Sequence, residues 1–313
     1  VREGTGNLES QYICPNLNYG QEWLRSNLNG THSLEARPTG FMIGPHENDF
    51  NHNGSQFIYI AIRKPMKVPT SGTEVYAAAE FDDVNNGTSG STSIMPDMIW
   101  SKRYDNNSDW SVQDRTRGLT YRNAVNTFTW LINSDNDDIK QYPDIYNIQS
   151  NGAFTNGQYW HGTNIVRWFF KRAPGFLDIV TYEGNATART ITHNLGREPK
   201  IMIVKHRTDS GYYTYVYHKE NSNYGGNTAF HYLLPRGNSA AAATSAWNNT
   251  EPTSTVFSLG TDSNVNTNNK DFVAYLFGDV AGVSKCGYYA GTGNAVDVDC
   301  GFSSGARFVW IKR

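Results

Sequence analysis

The stretch TDSNVNTNN places side-chain oxygens at Asp262, Asn264 and Asn266, on every second residue. Alternate oxygens at that spacing are how the first half of a calcium loop offers hard ligands to a hard cation. The Gly and the closing Glu of a full loop do not follow, so a weak calcium candidate stands against a plain Asn-rich hairpin turn. The other chemistry-bearing types are scattered. Eight histidines stand singly; His193 precedes a turn in THNLG, His218 ends an aromatic strand, and neither has a Ser or Cys set beside it as a nucleophile pair. Cys14, Cys286 and Cys300 are too far apart for a zinc-type cluster, although Cys286 and Cys300 flank one predicted hairpin and either pair across it or stay free. Asp114, Arg117 and Gly118 in DRTRG read as paired charges on a surface turn. GTGNAVDVDCG is Gly-rich but has no helix after it, and reads as a hairpin turn. There is no Gly-x-Ser-x-Gly elbow, no His-Glu-x-x-His and no phosphate loop, and no defensible carboxylate pair for glycan cleavage. No catalytic residue and no cofactor is assigned, and the chain is expected not to be an enzyme.

Composition narrows the classes further. The 27 Lys+Arg nearly balance the 29 Asp+Glu, which removes the electrostatic case for nucleic acid or an anionic membrane surface as partner. No apolar run approaches the roughly 20 residues that cross a bilayer as a helix. Charged residues are 18% of the chain and aromatics 13%. Aromatics and Thr suit pleated, half-buried surfaces, and Asn and Gly accept the positive φ of tight turns, so the composition predicts many short strands. Trp110, Tyr159, Trp160, Tyr212, Tyr213 and Trp247 sit in polar loops and are candidates for stacking on sugar rings, with packing inside the fold as the competing reading. Asn-x-Ser/Thr acceptors at Asn29, Asn53, Asn86, Asn106, Asn185 and Asn248 matter only in a glycosylating host.

The elements that must hold these residues recur. Phe41, Phe154 and Phe257 each open a Phe-x-x-Gly stretch followed by an Asn-bearing turn and an apolar strand: FIYIAIRKPMK, IVRWFFKRAPG and FVAYLFGDVAG. A second landmark, an apolar strand closing on a basic pair, ends at Arg103, Arg207 and Arg313, with Arg2 in the same phase. A polar turn and an aromatic strand (SQYIC, WSVQD, YTYVYH) follow the first three landmarks, and hairpins are predicted ahead of the later three. Order, phase and spacing agree on one unit of about 105 residues. Short strands with turn signals every 8–12 residues predict an all-β fold of tandem β-sandwich, jelly-roll-like repeats. The Ala run in SAAAATSAW allows a short helix.

The phase of the unit sets the expected boundaries. Residues 68–173 and 174–282 are two whole β-sandwich repeats, 1–67 is the C-terminal part of a unit, and 283–313 is the opening hairpin of a further, incomplete repeat. A lone hairpin cannot bury its apolar face. The 283–313 segment is therefore expected to complete a sandwich with a segment equivalent to 1–67, supplied by a longer chain or by a neighbouring subunit, head to tail through strand addition.

YEGNATARTITHNLGREPKIMIVKHR and the run from TSAWNNT to GYYAGTG resemble a repeat domain of marine phage (cyanophage-like) tail-fibre and virion surface proteins. The resemblance is close over about 174–313, weaker over 80–173, where MIWSKR and VQDRTRG remain, and faint over 1–67. It implies a virion structural protein at the virion surface or outside the cell, a tail fibre or spike contributing to host attachment. Its implied partners are copies of itself, other virion proteins and a host cell-surface glycan. A purely architectural virion or filament subunit with no ligand of its own is the alternative. The family has no catalytic residues to carry over.

Overall fold

A computed structural model describes residues 66–81, 89–103, 111–114, 165–206, 213–219 and 245–311, together with short strand and turn segments elsewhere. The protein is all-β, built from antiparallel sheets. Towards the N-terminus, β1 (Gln11–Tyr12) pairs with β2 (Glu22–Trp23) and β3 (Leu34–Arg37) with β4 (Gly40–Ile43). Then follow β5 (Tyr76–Phe81), β6 (Ser89–Ser91), β7 (Met98–Arg103), β8 (Ser111–Asp114), β9 (Thr129–Trp130), β10 (Ile145–Tyr146), β11 (Ala153–Asn156) and β12 (Ile165–Phe170). The next set is β13 (Leu177–Glu183), β14 (Arg189–Thr192), β15 (Ile201–His206), β16 (Tyr215–His218), β17 (His231–Tyr232), β18 (Ala242–Ala243), β19 (Val256–Leu259), the one-turn helix α1 (Ser263–Asn266) and β20 (Asp271–Phe277).

Two larger sheets dominate, in the orders β5-β12-β7-β8-β9 and β13-β20-β15-β16. Each places its last-made strand between the first and third of its set. The registers correspond as well. Ile165 lies opposite Phe81 on one side and Arg103 on the other, as Phe272 lies opposite Tyr182 and His206. The flanking main chain agrees: Asp97 N–H donates to Phe170 O and Lys200 N–H to Phe277 O, both at 2.8 Å. Smaller sheets pair β6 with β11 and β14 with β19.

That pairing corrects the hairpin reading of IVTYEGNATARTITHNLG and VYAAAEFDDVNNGTSGS. β13 and β14 follow one another but enter different sheets, as do β5 and β6, because each strand finds its ladder with a distant strand instead of its neighbour. The third expected hairpin, in KCGYYAGTGNAVDVDCGF, contains no strand. Where the Ala run is described, Ala242 and Ala243 pair with Tyr232 and His231 as strand, helix propensity being a weak prior that tertiary pairing overrides.

An apolar layer lies between the two larger sheets. The first sheet contributes Met98 and Trp100 from β7, Val112 from β8 and Phe170 from β12. The second contributes Leu177 and Ile179 from β13, Ile203 from β15, Val216 from β16, and Val273 and Tyr275 from β20. Since side chains alternate across a strand, the intervening residues face the other way. Val180, Tyr182, Met202, Val204, Tyr215, Tyr217, Phe272, Ala274 and Leu276 form a second core, closed by Phe257 and Leu259 of β19 and by Trp247. The second sheet is thus buried on both faces, which is why its strands read as unbroken apolar runs.

One polar tie crosses the shared layer: the Tyr275 hydroxyl donates to Asp114 Oδ2 at 2.7 Å, both residues buried. Asp114 therefore does not sit on a surface turn. It closes β8 inside the protein, while Arg117 and Gly118 lie outside the described residues. Tyr275→Phe is expected to lower the unfolding free energy by about 1–3 kcal/mol, the range for losing a buried hydrogen bond to a carboxyl group. Denaturant titration with unchanged slope checks this, against Tyr213→Phe as an exposed control.

Candidate functional site

Of the side chains expected to bind metal or glycan, Asp262, Asn264, Asn266, Tyr213 and Trp247 are described, and they lie around the corner where β19 leads through α1 into β20. Gly260, the fourth residue of the Phe-x-x-Gly landmark, fixes this corner. A Cβ there would lie 1.7 Å from the carbonyl oxygen of Ser245, so no other residue fits. Phe257, three residues earlier, is fully buried under the second sheet. The landmark is a close-approach glycine and its core anchor.

Asp262, Asn264 and Asn266 do not converge on a cation. Asp262 is the N-cap of α1, and its Oδ1 accepts from Asn264 N–H at 2.9 Å and from Asn264 Nδ2 at 3.0 Å. The Asn264 amide oxygen accepts from Tyr213 N–H, and its Nδ2 also donates to the Tyr215 hydroxyl. Asn266 is fully buried; its Oδ1 accepts from Asn185 N–H at 3.0 Å, while Nδ2 donates to Thr187 O at 2.9 Å and Gly260 O at 2.7 Å. The side chains of the calcium candidate are engaged within the fold, where they cap a helical turn and tie the β13–β14 connection to the α1 corner. The hairpin-turn reading is corrected, since the segment is a helical turn. Among the described residues no group of three or more His, Cys, Asp and Glu could hold a metal ion.

The aromatic candidates divide. Trp247 has no exposed surface and packs edge-on against Tyr217 at 6.0 Å, so it cannot stack on a sugar. Its indole fills the core beneath β19 because the Asn-Asn turn after it, with Asn248 and Asn249 at φ 49°, points the polar residues out and the ring in. Tyr213 is 46% exposed beside the α1 corner. Trp110, Tyr159, Trp160 and Tyr212 lie outside the described residues.

A family model described as a domain of unknown function (DUF7483) matches residues 79–313. The chain belongs to that family. No curated protein and no solved structure matches it. The DUF7483 match runs from within β5 to residue 313, so it takes in the second larger sheet, the first apart from the start of β5, the Gly260 corner and the tail.

Within that span, buried charge was the feature least visible in the sequence. Arg172 donates to Asp178 Oδ1 through Nε at 3.0 Å and Nη2 at 2.7 Å, while Asp178 Oδ2 accepts from Asn194 N–H and Asp97 Oδ2 accepts from Arg172 N–H. These bonds join the first sheet's edge to the opening of the second. His193, beside them, has its Nε2 at 3.1 Å from Thr253 O. Burial lowers its pKa below the ordinary 6.5, outweighing the Thr253 carbonyl and Asp178, which act the other way. Burial, then the neighbouring Asp279 carboxylate, pushes the Cys286 thiol up to about 12, and neither Cys286 nor Cys300 is in a disulfide.

Two outcomes follow from this geometry. Trp247→Ala is expected to cost about 3–5 kcal/mol, Asn266→Ala about 2–3 and Asp262→Ala about 1, with Tyr213→Ala within about 0.5; calcium should move no unfolding midpoint, which thermal and denaturant melts measure. Because the folded state holds His193 neutral, acid favours the unfolded chain. Stability is expected to be intact above about pH 6.5 and to fall as pH drops below it, a slope that His193→Gln should flatten in denaturant melts taken across that range.

Proposed function

We propose that the protein is a phage virion structural protein, a tail fibre or spike built of repeated β-domains, that contributes to host-surface attachment without being an enzyme. The observation that carries this reading is the correspondence of β5–β12 with β13–β20 in strand order, register and flanking main-chain bonds. It favours duplication of one unit of about 105 residues, each unit a sheet with a smaller sheet or loops over its outer face. Units that share an apolar layer stack as a stiff body and leave the turns between strands as the variable surface. The resemblance of 174–313 to repeats of marine phage tail-fibre proteins supports the same assignment, with the virion surface as the proposed location.

Attachment would fall to aromatic loop residues, with Tyr213 the one described on the surface and Trp110, Tyr159, Trp160 and Tyr212 the further candidates. Aromatic faces stack on the apolar faces of sugars. The burial of Trp247 and the use of Asp262, Asn264 and Asn266 for internal bonds favour the second reading, an architectural subunit with no ligand of its own. A bacterial glycan array probed with the purified chain separates the two. Saturable binding to an envelope glycan, weakened by about tenfold in Tyr213→Ala or Trp160→Ala (a loss of roughly 1.4 kcal/mol), is the expected result. Absence of binding to glycans and to cells alike would leave the architectural role.

A further inference from the structure

We infer that the two central strands, β12 and β20, are each matched to their own sheet at three positions where an exchange is penalised, so that the chain sorts two similar strands. The inference goes beyond the proposed function: it uses the observed correspondence of the two sheets and holds whatever the protein attaches to. The need for sorting is physical. Each of these strands enters between two strands that precede it in the chain. Val166 and Phe170 of β12 recur as Val273 and Phe277 of β20. The main chain that follows repeats as well, Lys171 N–H donating to Val75 O at 2.8 Å and Gly278 N–H to Phe176 O at 3.1 Å. Misassembly through exchange of like elements is a characteristic failure of repeated architectures. Backbone pairing does not prevent it, because both sheets offer a central strand the same ladder.

At the first position the volumes are reciprocal. Arg167 is fully buried and stands opposite Ala79 on one side and Ser101 on the other. The corresponding Ala274 is also fully buried and stands opposite Val180 and Val204. A large residue between small ones in the first sheet thus answers a small one between larger ones in the second. Exchange would drive a guanidinium into the apolar core under β19 and leave a void between Ala79 and Ser101. The second position is steric. Lys171 is exposed, whereas the corresponding Gly278 has room for no side chain, since a Cβ there would lie 2.5 Å from Gly175 O.

The third position is electrostatic. Asp97 and Lys200 correspond, each donating its main-chain N–H to the last residue of a central strand. Asp97 Oδ2 accepts from Arg172 N–H at 2.7 Å, and the Arg172 guanidinium pairs with Asp178. In the second sheet every sign is reversed. Lys200 stands for Asp97, Asp279 for Arg172 and Lys285 for Asp178, with Lys285 Nζ 3.1 Å from Asp279 Oδ2. The turns fix this correspondence, since Ala173 bridges Leu177 as Val280 bridges Ser284. β20 in the first sheet would set Asp279 against Asp97, and β12 in the second would bring Arg172 to Lys200. Discrimination between near-equal partners draws on such repulsive elements as well as on attractive ones. These charges are partly exposed, so the first two positions carry most of the discrimination.

Hydrogen exchange and thermal melts of the full chain test this. Ala274→Arg, Gly278→Lys and Asp279→Arg together write the three matched residues of β12 into β20, and are expected to cut amide protection across β20 by about a hundredfold or more. Phe272→Ile with Leu276→Phe exchanges two residues outside the matched set and is expected to stay within about tenfold of the wild type. A second measurement does not depend on the triple variant folding. Arg167→Ala alone is expected to lower the melting midpoint. On a background of Ala79→Val with Ser101→Val, where the flanking residues are those of the second sheet, the same substitution is expected to raise it by about 2 °C or more. Equal loss of protection in the triple variant and the comparison pair would overturn the inference, as would Arg167→Ala lowering the midpoint on both backgrounds. Neither readout involves a glycan, so the attachment function stands or falls separately.

Discussion

Strand β20 lies between β13 and β15 and pairs with both, Leu177 through Glu183 on one side and Ile201 through His206 on the other. Without it those two strands have no common partner, and the four-stranded sheet divides. β12 stands in the same position between β5 and β7. Each larger sheet therefore depends on a strand made about a hundred residues after the one it first pairs with, and its ladder forms only after a long loop has closed. The intervening loops are free to differ in length because the sheet does not use them.

Insertion of that strand also sets the packing. Val273 and Tyr275 of β20 enter the layer between the sheets, and Phe272, Ala274 and Leu276 enter the core under β19. A strand buried on both faces cannot slip by one residue, because a slip exchanges Tyr275, whose hydroxyl needs Asp114, for an apolar neighbour facing a carboxyl. That polar tie thus helps fix register where apolar packing alone is tolerant of shape. Around the edge, Arg172 with Asp178 satisfies a charge that burial would otherwise penalise heavily.

The recurring residues were legible because they answer backbone demands that any copy must meet. Gly260 repeats since a Cβ collides with Ser245 O, and an Asn follows because Asn266 alone satisfies three main-chain groups at that corner. Apolar runs identified the central strands for a similar reason. Partnership was not legible: β13 and β14 read as a hairpin, since a period of two says which face a residue takes but not which strand lies beside it. Trp247 read as a loop residue because polar neighbours surround it in sequence, while its burial depends on β16 and β19, distant along the chain. The same limit concealed Asp114, whose donor is 161 residues away.

The tail packs against the shared layer through residues that pair in no described ladder. Phe308 and Trp310 hold their face of the shared layer with no ladder to support them, so packing alone is enough to place that half of the strand. The other half, Val309 and Ile311, keeps its apolar character although nothing in the chain's described residues buries it. A residue pattern shaped only for the inner face would alternate apolar with polar, as half-buried strands do. Phe308-Val309-Trp310-Ile311 does not alternate. It has the composition of β15, a strand closed on both sides, and in this fold the closing element is always the last strand of a set.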